Sequence, residues 1–187
     1  MDRRILKTRS AIKKAFIELM AEKKFEEITI NQISERANLN RGTIYLHYMD
    51  KYNLLEKCIE EHSEVLRGLC VPENHEDHHL PIRDSLLRAF EYIEKHYLFY
   101  YSMLNNKGLF YFWQNMQQMM MQGISSQISM DRINQHANKE ILVRFLTSAA
   151  VGVVEWWIMN EIPYSAEEIA DEIWLLLERN QVQKEIV

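Results

Sequence analysis

Arg41, Thr43, Tyr45 and His47 occupy alternate positions of the stretch "LNRGTIYLHYMDK", with Lys51 four residues further on, and none of them has an evident place in a core. The chemistry these side chains offer is hydrogen bonding to a polyanion. A guanidinium such as that of Arg41 reaches either the paired acceptors of a guanine edge or a phosphate. Threonine and tyrosine hydroxyls donate to phosphate oxygens, and a lysine at a helix start adds its charge to the backbone N–H groups there. Gly42, between Arg41 and Thr43, lets a backbone come close. Each residue alone is an ordinary surface group. Their conjunction within eleven positions is what points to DNA.

Such a cluster needs a short rigid platform, and the flanking sequence "ITINQISERANLNRGTIYLHYMDKYNLL" supplies one. Thr29 followed three residues later by Gln32 forms a capping box, which predicts a helix starting at Ile30 with Ile30, Ile33 and Ala37 on one face. Asn38 and its neighbours turn the chain, Leu39 points back to the core, and Asn40 is a good N-cap for a second short helix beginning at Arg41. Ile44 and Tyr48, four apart, anchor that helix, and Asp50 caps a third, longer one with Lys51 in its first turn. Two short helices joined by a tight turn and held between longer ones make a helix-turn-helix arrangement.

The remainder also reads as helix. Ile12, Ala15, Phe16, Leu19 and Met20 form one amphipathic stripe over about 9–23. Breaks at "KKFEEIT", "VPENHEDHHLP", "LNNKG" and "NEIPYSAEE" delimit further helices over about 52–70, 82–96, 98–104, 109–128, 139–160 and 166–179. The expected fold class is all α.

Composition narrows the function. The formal net charge of −5 divides unevenly: up to Lys57 there are twelve Lys and Arg against eight Asp and Glu, a balance of +4, and beyond it ten against nineteen, or −9. One end suits a polyanion and the other does not. "RRILKTRSAIKK" offers a further basic phosphate arm. No run of about 18 uninterrupted apolar residues occurs and the N-terminus lacks a signal-peptide pattern, so the expected location is the cytoplasm, without membrane association. Cys58 and Cys70 suggest partly buried free thiols, with a redox switch as the alternative, rather than a disulfide framework. His75, Asp77, His78 and His79 have no closed-site ligand spacing, so a solvated loop is expected and no metal, with a metal or pH sensor as the alternative. No phosphate-binding loop, dinucleotide glycine pattern, nucleophile elbow or metalloprotease motif is present, so no enzyme activity and no cofactor are expected.

With these residues in view, "TINQISERANLNRGTIYLHYMDKYNLL" resembles the DNA-binding signature of the TetR family of bacterial transcription regulators, over about the first 60 residues. The resemblance implies that Thr29, Arg41, Thr43, Tyr45, His47 and Lys51 occupy positions that commonly contact the operator, chiefly its phosphates. Leu46 and Tyr52 depart from the usual pattern. "FLTSAAVGVVEWWIMNEIPYSAEEIADEIWLLL" is similar to the closing helices of a subgroup common in Gram-positive bacteria. The implied organisation is a helix-turn-helix domain over 1–52 and a helical effector and dimerisation domain over 53–187. The implied function is a regulator, a repressor by family habit, acting on a palindromic operator. A helical small-molecule binder without DNA binding and a coactivator-dependent activator are the alternatives.

By the same resemblance, the dense aromatic and methionine stretch with Phe99, Tyr100, Phe112, Trp113, Met116 and Met120 lines a pocket for a large apolar effector, unless it simply fills a core. A protein effector is the other choice. A palindrome needs two reading helices about 34 Å apart, and one chain supplies one, so a homodimer is expected. Leu142, Phe145, Ala149, Gly152 and Val153 recur at helical spacing, and Ile173, Leu176 and Leu177 form a stripe on the last helix; together they are the expected dimer surface.

Overall fold

Among the described residues, helical periodicity and capping chemistry are realised almost throughout. The computed structural model describes residues 3–70, 82–106 and 110–182; among the described residues the regular structure is α-helix, joined by turns, with two short 3₁₀ helices and an isolated antiparallel bridge between Ile128 and Val182. In chain order the helices are α1 (Arg3–Glu22), α2 (Ile30–Arg36), α3 (Arg41–Tyr45), α4 (Lys51–Cys70), α5 (Ile82–Lys95), α6 (Tyr97–Asn105), α7 (Phe110–Gln127), α8 (Lys139–Met159) and α9 (Ala166–Arg179). The all-α expectation holds. His75, Asp77, His78 and His79 lie outside the described residues.

Contacts divide the chain into two compact units, Met1–His62 with Leu98–Leu109, and Ser63–Tyr97 with Phe110–Val187. The boundary expected after Tyr52 falls inside α4, and the segment containing α6 returns to the first unit. In that unit α1 buries Ile12, Ala15, Phe16, Leu19 and Met20, the stripe its spacing predicts. Phe25, in a 3₁₀ turn over Phe25–Glu27, stands edge-on to Phe16 and to Tyr52, with ring centroids 6.2 and 5.1 Å apart. Arg36 of α2 makes a bidentate pair with Glu22 of α1, both bonds at 2.8 Å. That pair is exposed and fixes orientation more than it stabilises. Cys58 is buried, and desolvation pushes its thiol up to about 12, which disfavours the reactive thiolate.

In the second unit α5 packs on α9 and α7 on α8. Trp157 of α8 is fully buried, edge-on to Phe90, and its indole N–H donates to the carbonyl of Tyr164 at 2.8 Å. That bond holds the turn before α9, which starts at a capping box of Ser165 and Glu168. The two hydrogen bonds from Ser165 keep the Glu168 carboxyl below its usual range. α8 is long and apolar enough, by composition alone, to cross a membrane. Its apolarity has a local cause: Val143, Leu146, Ala150, Val154 and Trp157 are buried on one face, while Ile141, Phe145, Trp156 and Met159 are exposed on another.

Candidate nucleic-acid interface

A five-residue helix cannot stand alone in water, so the position of α3 depends on what holds it. Ile44 is fully buried and Tyr48 nearly so, the two anchors expected from their spacing. Truncating Ile44 would cost about 2–5 kcal/mol. Entry to α3 is set by the turn after α2. Asn38 adopts a left-handed backbone, φ 53°, and the Leu39 N–H donates to the Ser34 carbonyl at 2.9 Å, closing the preceding helix with a residue type that tolerates this conformation. Asn40 Oδ1 then accepts the Gly42 N–H at 3.0 Å. At the exit, Asp50 Oδ1 accepts the Asn53 N–H at 2.8 Å and starts α4. The stretch "ANLNR" is therefore a closing turn and an opening cap back to back.

With one side seated, the other faces water. Arg41 and Tyr45, four apart and both exposed, form a pair: the guanidinium donates to the Tyr45 hydroxyl at 3.1 Å and lies 5.3 Å from the ring centroid. The ring limits the rotamers of the arginine, so less entropy is lost when it binds an acceptor. Thr43 and His47 are half-buried at the flanks of this surface. Thr29 is exposed, and its hydroxyl accepts the Gln32 N–H at 3.3 Å in the expected capping box, which leaves the hydroxyl proton to donate elsewhere. Leu46 is 82% exposed and Met49 77%. Two bare apolar side chains therefore flank the Arg41–Tyr45 pair, Leu46 being one of the departures from the motif noted in the sequence.

Gly42 has no conformational need to be glycine, since its φ is not positive. A Cβ there would meet only Asn40 Oδ1, at an ordinary 3.7 Å. Gly42→Ala is therefore expected to leave stability unchanged or raise it, by up to about 1 kcal/mol of helix preference, while weakening duplex binding. Thermal melts beside a binding titration check this, and an unchanged affinity would show that no duplex backbone approaches Gly42.

Lys51 is placed differently from expectation. Its ammonium donates to the carbonyls of Phe25 and Glu26, both at 2.9 Å, and of Ile28 at 3.0 Å. An ammonium has three donors, so all three are taken up within the chain and none is directed at a phosphate. Of the basic N-terminal stretch, Arg3 and Lys7 are exposed on α1, whereas Lys13 pairs with Glu61.

The remaining candidates separate. Phe99 and Tyr100 are buried in the first unit, where Phe99 stacks on His62 with centroids 3.7 Å apart. Phe112 and Met116 are buried in the second unit, and Trp113 and Met120 half-buried there. None of the six lines the groove of about 540 Å³ between α7 and α8, whose walls include Gln114, Gln117, Gln118, Arg144, Thr147 and Ser148. Among the expected dimer residues, Phe145, Ala149, Gly152 and Leu176 are exposed and Leu142 and Val153 half-buried. Ile173 and Leu177 are buried in their own unit, on the helix that packs against α5, so they are core and not available to a partner.

Comparisons with known proteins agree with this geometry. Residues 12–58 match the family model described as bacterial regulatory proteins, tetR family, and residues 82–179 match the one described as transcriptional regulator C-terminal region. An uncharacterized HTH-type transcriptional regulator of Bacillus subtilis (strain 168), YxbF, is 22% identical over 173 residues, 91% of this chain; the chain spans only 44% of that relative's length. Among solved structures, NalD, the secondary repressor of the MexAB-OprM multidrug efflux pump in Pseudomonas aeruginosa, superimposes with a TM-score of 0.68 at 18% identity, covering 96% of this chain and 98% of its own. The dihydroxyacetone kinase operon activator DhaS gives 0.62 at 19% identity, over 95% and 98%.

Proposed function

Because the chain belongs to the tetR family of bacterial regulatory proteins, we propose that it is a cytoplasmic transcription regulator, a repressor, that binds a palindromic operator as a homodimer. The observation that carries this reading is the pair Arg41 and Tyr45, preorganised on the exposed side of a helix whose other side is locked by Ile44 and Tyr48. In the pose that follows, α3 enters the major groove, Arg41 reads a guanine edge, and Thr29, Thr43, Tyr45 and His47 contact phosphates. Leu46 lies against a thymine methyl group, the apolar feature of that groove. NalD is named a repressor and DhaS an activator, so repression rests on family habit and not on the fold.

Pairing through α8 and α9 supplies the second reading helix. The exposed apolar and small positions Phe145, Ala149, Gly152 and Trp156 lie along one side of α8, with Leu175 and Leu176 on α9. An effector, either an apolar small molecule near Phe112, Trp113 and Met116 or a protein, acts only if it prefers a conformation in which the two reading heads no longer fit the operator.

The test is binding to a random duplex at two salt concentrations. A regulator loses affinity steeply as salt rises, because bound phosphates release counterions. A helical binding protein that does not engage DNA binds at neither concentration, and that result would overturn the reading.

A further inference from the structure

The reading head, residues 29–50, is tied off at both ends by one side chain. Lys51, the first residue after it, donates to the carbonyl of Ile28, the last residue before it, and to those of Phe25 and Glu26 in the turn that leads in. The Lys51 Nζ also lies 4.7 Å from the Phe25 ring centroid. The same turn is gripped from its other side. Asn106, just beyond α6 and 81 residues away in sequence, is buried, and its Oδ1 accepts the Phe25 N–H at 2.7 Å. Its Nδ2 donates to the carbonyls of Met20, in the last turns of α1, at 3.0 Å and of Ser102 at 2.8 Å. Every polar atom of the Asn106 side chain thus has a partner, and both polar atoms of the Phe25 backbone are engaged, the N–H by Asn106 and the carbonyl by Lys51 together with the Ile28 N–H at 3.2 Å.

We propose that Asn106 and Lys51 are positioning residues for operator binding: together they clamp the Phe25 backbone, fixing where the reading head begins and ends, and Lys51 acts through that clamp and not through a phosphate. Two physical points support this. Three charge-assisted bonds to carbonyls that have few other donors in a 3₁₀ turn are strong and directional. A buried carboxamide that satisfies the Phe25 N–H and the Met20 carbonyl takes both bonds with it if it is lost, while the Ser102 carbonyl keeps the Asn106 backbone N–H at 3.1 Å. The proposal rests on the DNA-binding reading above.

A double-mutant cycle on the full chain tests it, with Asn106→Ala, Lys51→Met and the pair, titrated on one duplex over a series of salt concentrations. Each single variant is expected to lose about tenfold in affinity, and the pair about the same tenfold in place of a hundredfold, because both act through one backbone unit. The slope of log affinity against log salt stays that of wild type in Lys51→Met. A slope lower by about one unit would put Lys51 on a phosphate and overturn the proposal, as would losses that simply add. Hydrogen exchange of the wild-type chain without DNA gives a check that needs no variant. The Phe25 amide is expected to be protected like the interior of α1, and exchange at the rate of an open amide would remove the clamp. A wild-type chain that binds no duplex at any salt overturns the DNA reading and this proposal with it; binding with additive losses overturns the clamp alone.

Discussion

A chain carrying Gly152→Arg with Leu176→Glu is expected to sediment as a 22.4 kDa monomer at micromolar concentration, to keep its helical circular dichroism, and to lose operator affinity by about 10²–10⁴-fold, the range by which a linked second site raises binding. The choice of positions makes the test clean. A Cβ at Gly152 would meet nothing within 4 Å and the position is exposed, so an arginine there can extend into water in a monomer. Leu176 is 50% exposed, so a glutamate replacing it stays in water in a monomer. Both substitutions bury unpaired charge only when a second copy covers α8 and α9, which costs several kcal/mol per ion after relaxation. Glutamate at Ile173 or Leu177 would unfold the chain instead, because those side chains are its own core. A double variant that remains dimeric would place the interface elsewhere.

Arg41→Ala is the second large effect. It is expected to weaken operator binding by about 1–3 kcal/mol and to relax preference at a single base pair, since a bidentate arginine discriminates a guanine edge from the other bases. Tyr45→Phe removes the hydroxyl that accepts the Arg41 guanidinium at 3.1 Å but keeps the ring beneath it. Its loss should be smaller and equal on operator and random duplexes, apart from the part shared with Arg41. Binding measured on single-base-pair variants of the operator separates the two roles. If Arg41→Ala weakens operator and random duplex by the same factor, Arg41 holds a phosphate and base reading lies elsewhere on α3.

The fold was legible wherever a local rule sufficed. Apolar stripes placed most of the helices to within a residue or two, and the caps at Thr29, Asn40 and Asp50 are short-range chemistry that a sequence displays directly. α1 begins at Arg3 and not near Arg9 because its first turns carry charge where a stripe would be sought, and helical preference alone extends it. The exposed face of α3 was legible for the same reason: the exposure of Arg41 and Tyr45 follows from the burial of Ile44 and Tyr48 on a short helix. What sequence did not display is long-range. Lys51 reaches carbonyls 23 to 26 residues back, and Asn106 reaches a turn 81 residues back. In a string, the first looks like a phosphate-binding lysine and the second like part of the helix break "LNNKG". On α9, Ile173 and Leu176 are three residues apart and by spacing share a stripe, yet one is buried and the other half exposed; only the packing partner decides which edge of a broad apolar face is core.

The central claim is that two copies of this chain place their α3 helices in successive major grooves of one duplex. Footprinting of the chain on the DNA that flanks its own gene, combined with sedimentation of the complex, tests it most directly. The account predicts two chains per duplex and two protected tracts on one face of the helix, centred one turn, about 34 Å, apart. One chain bound over one tract, or no protected tract at a salt concentration low enough for phosphate contacts to form, would contradict it.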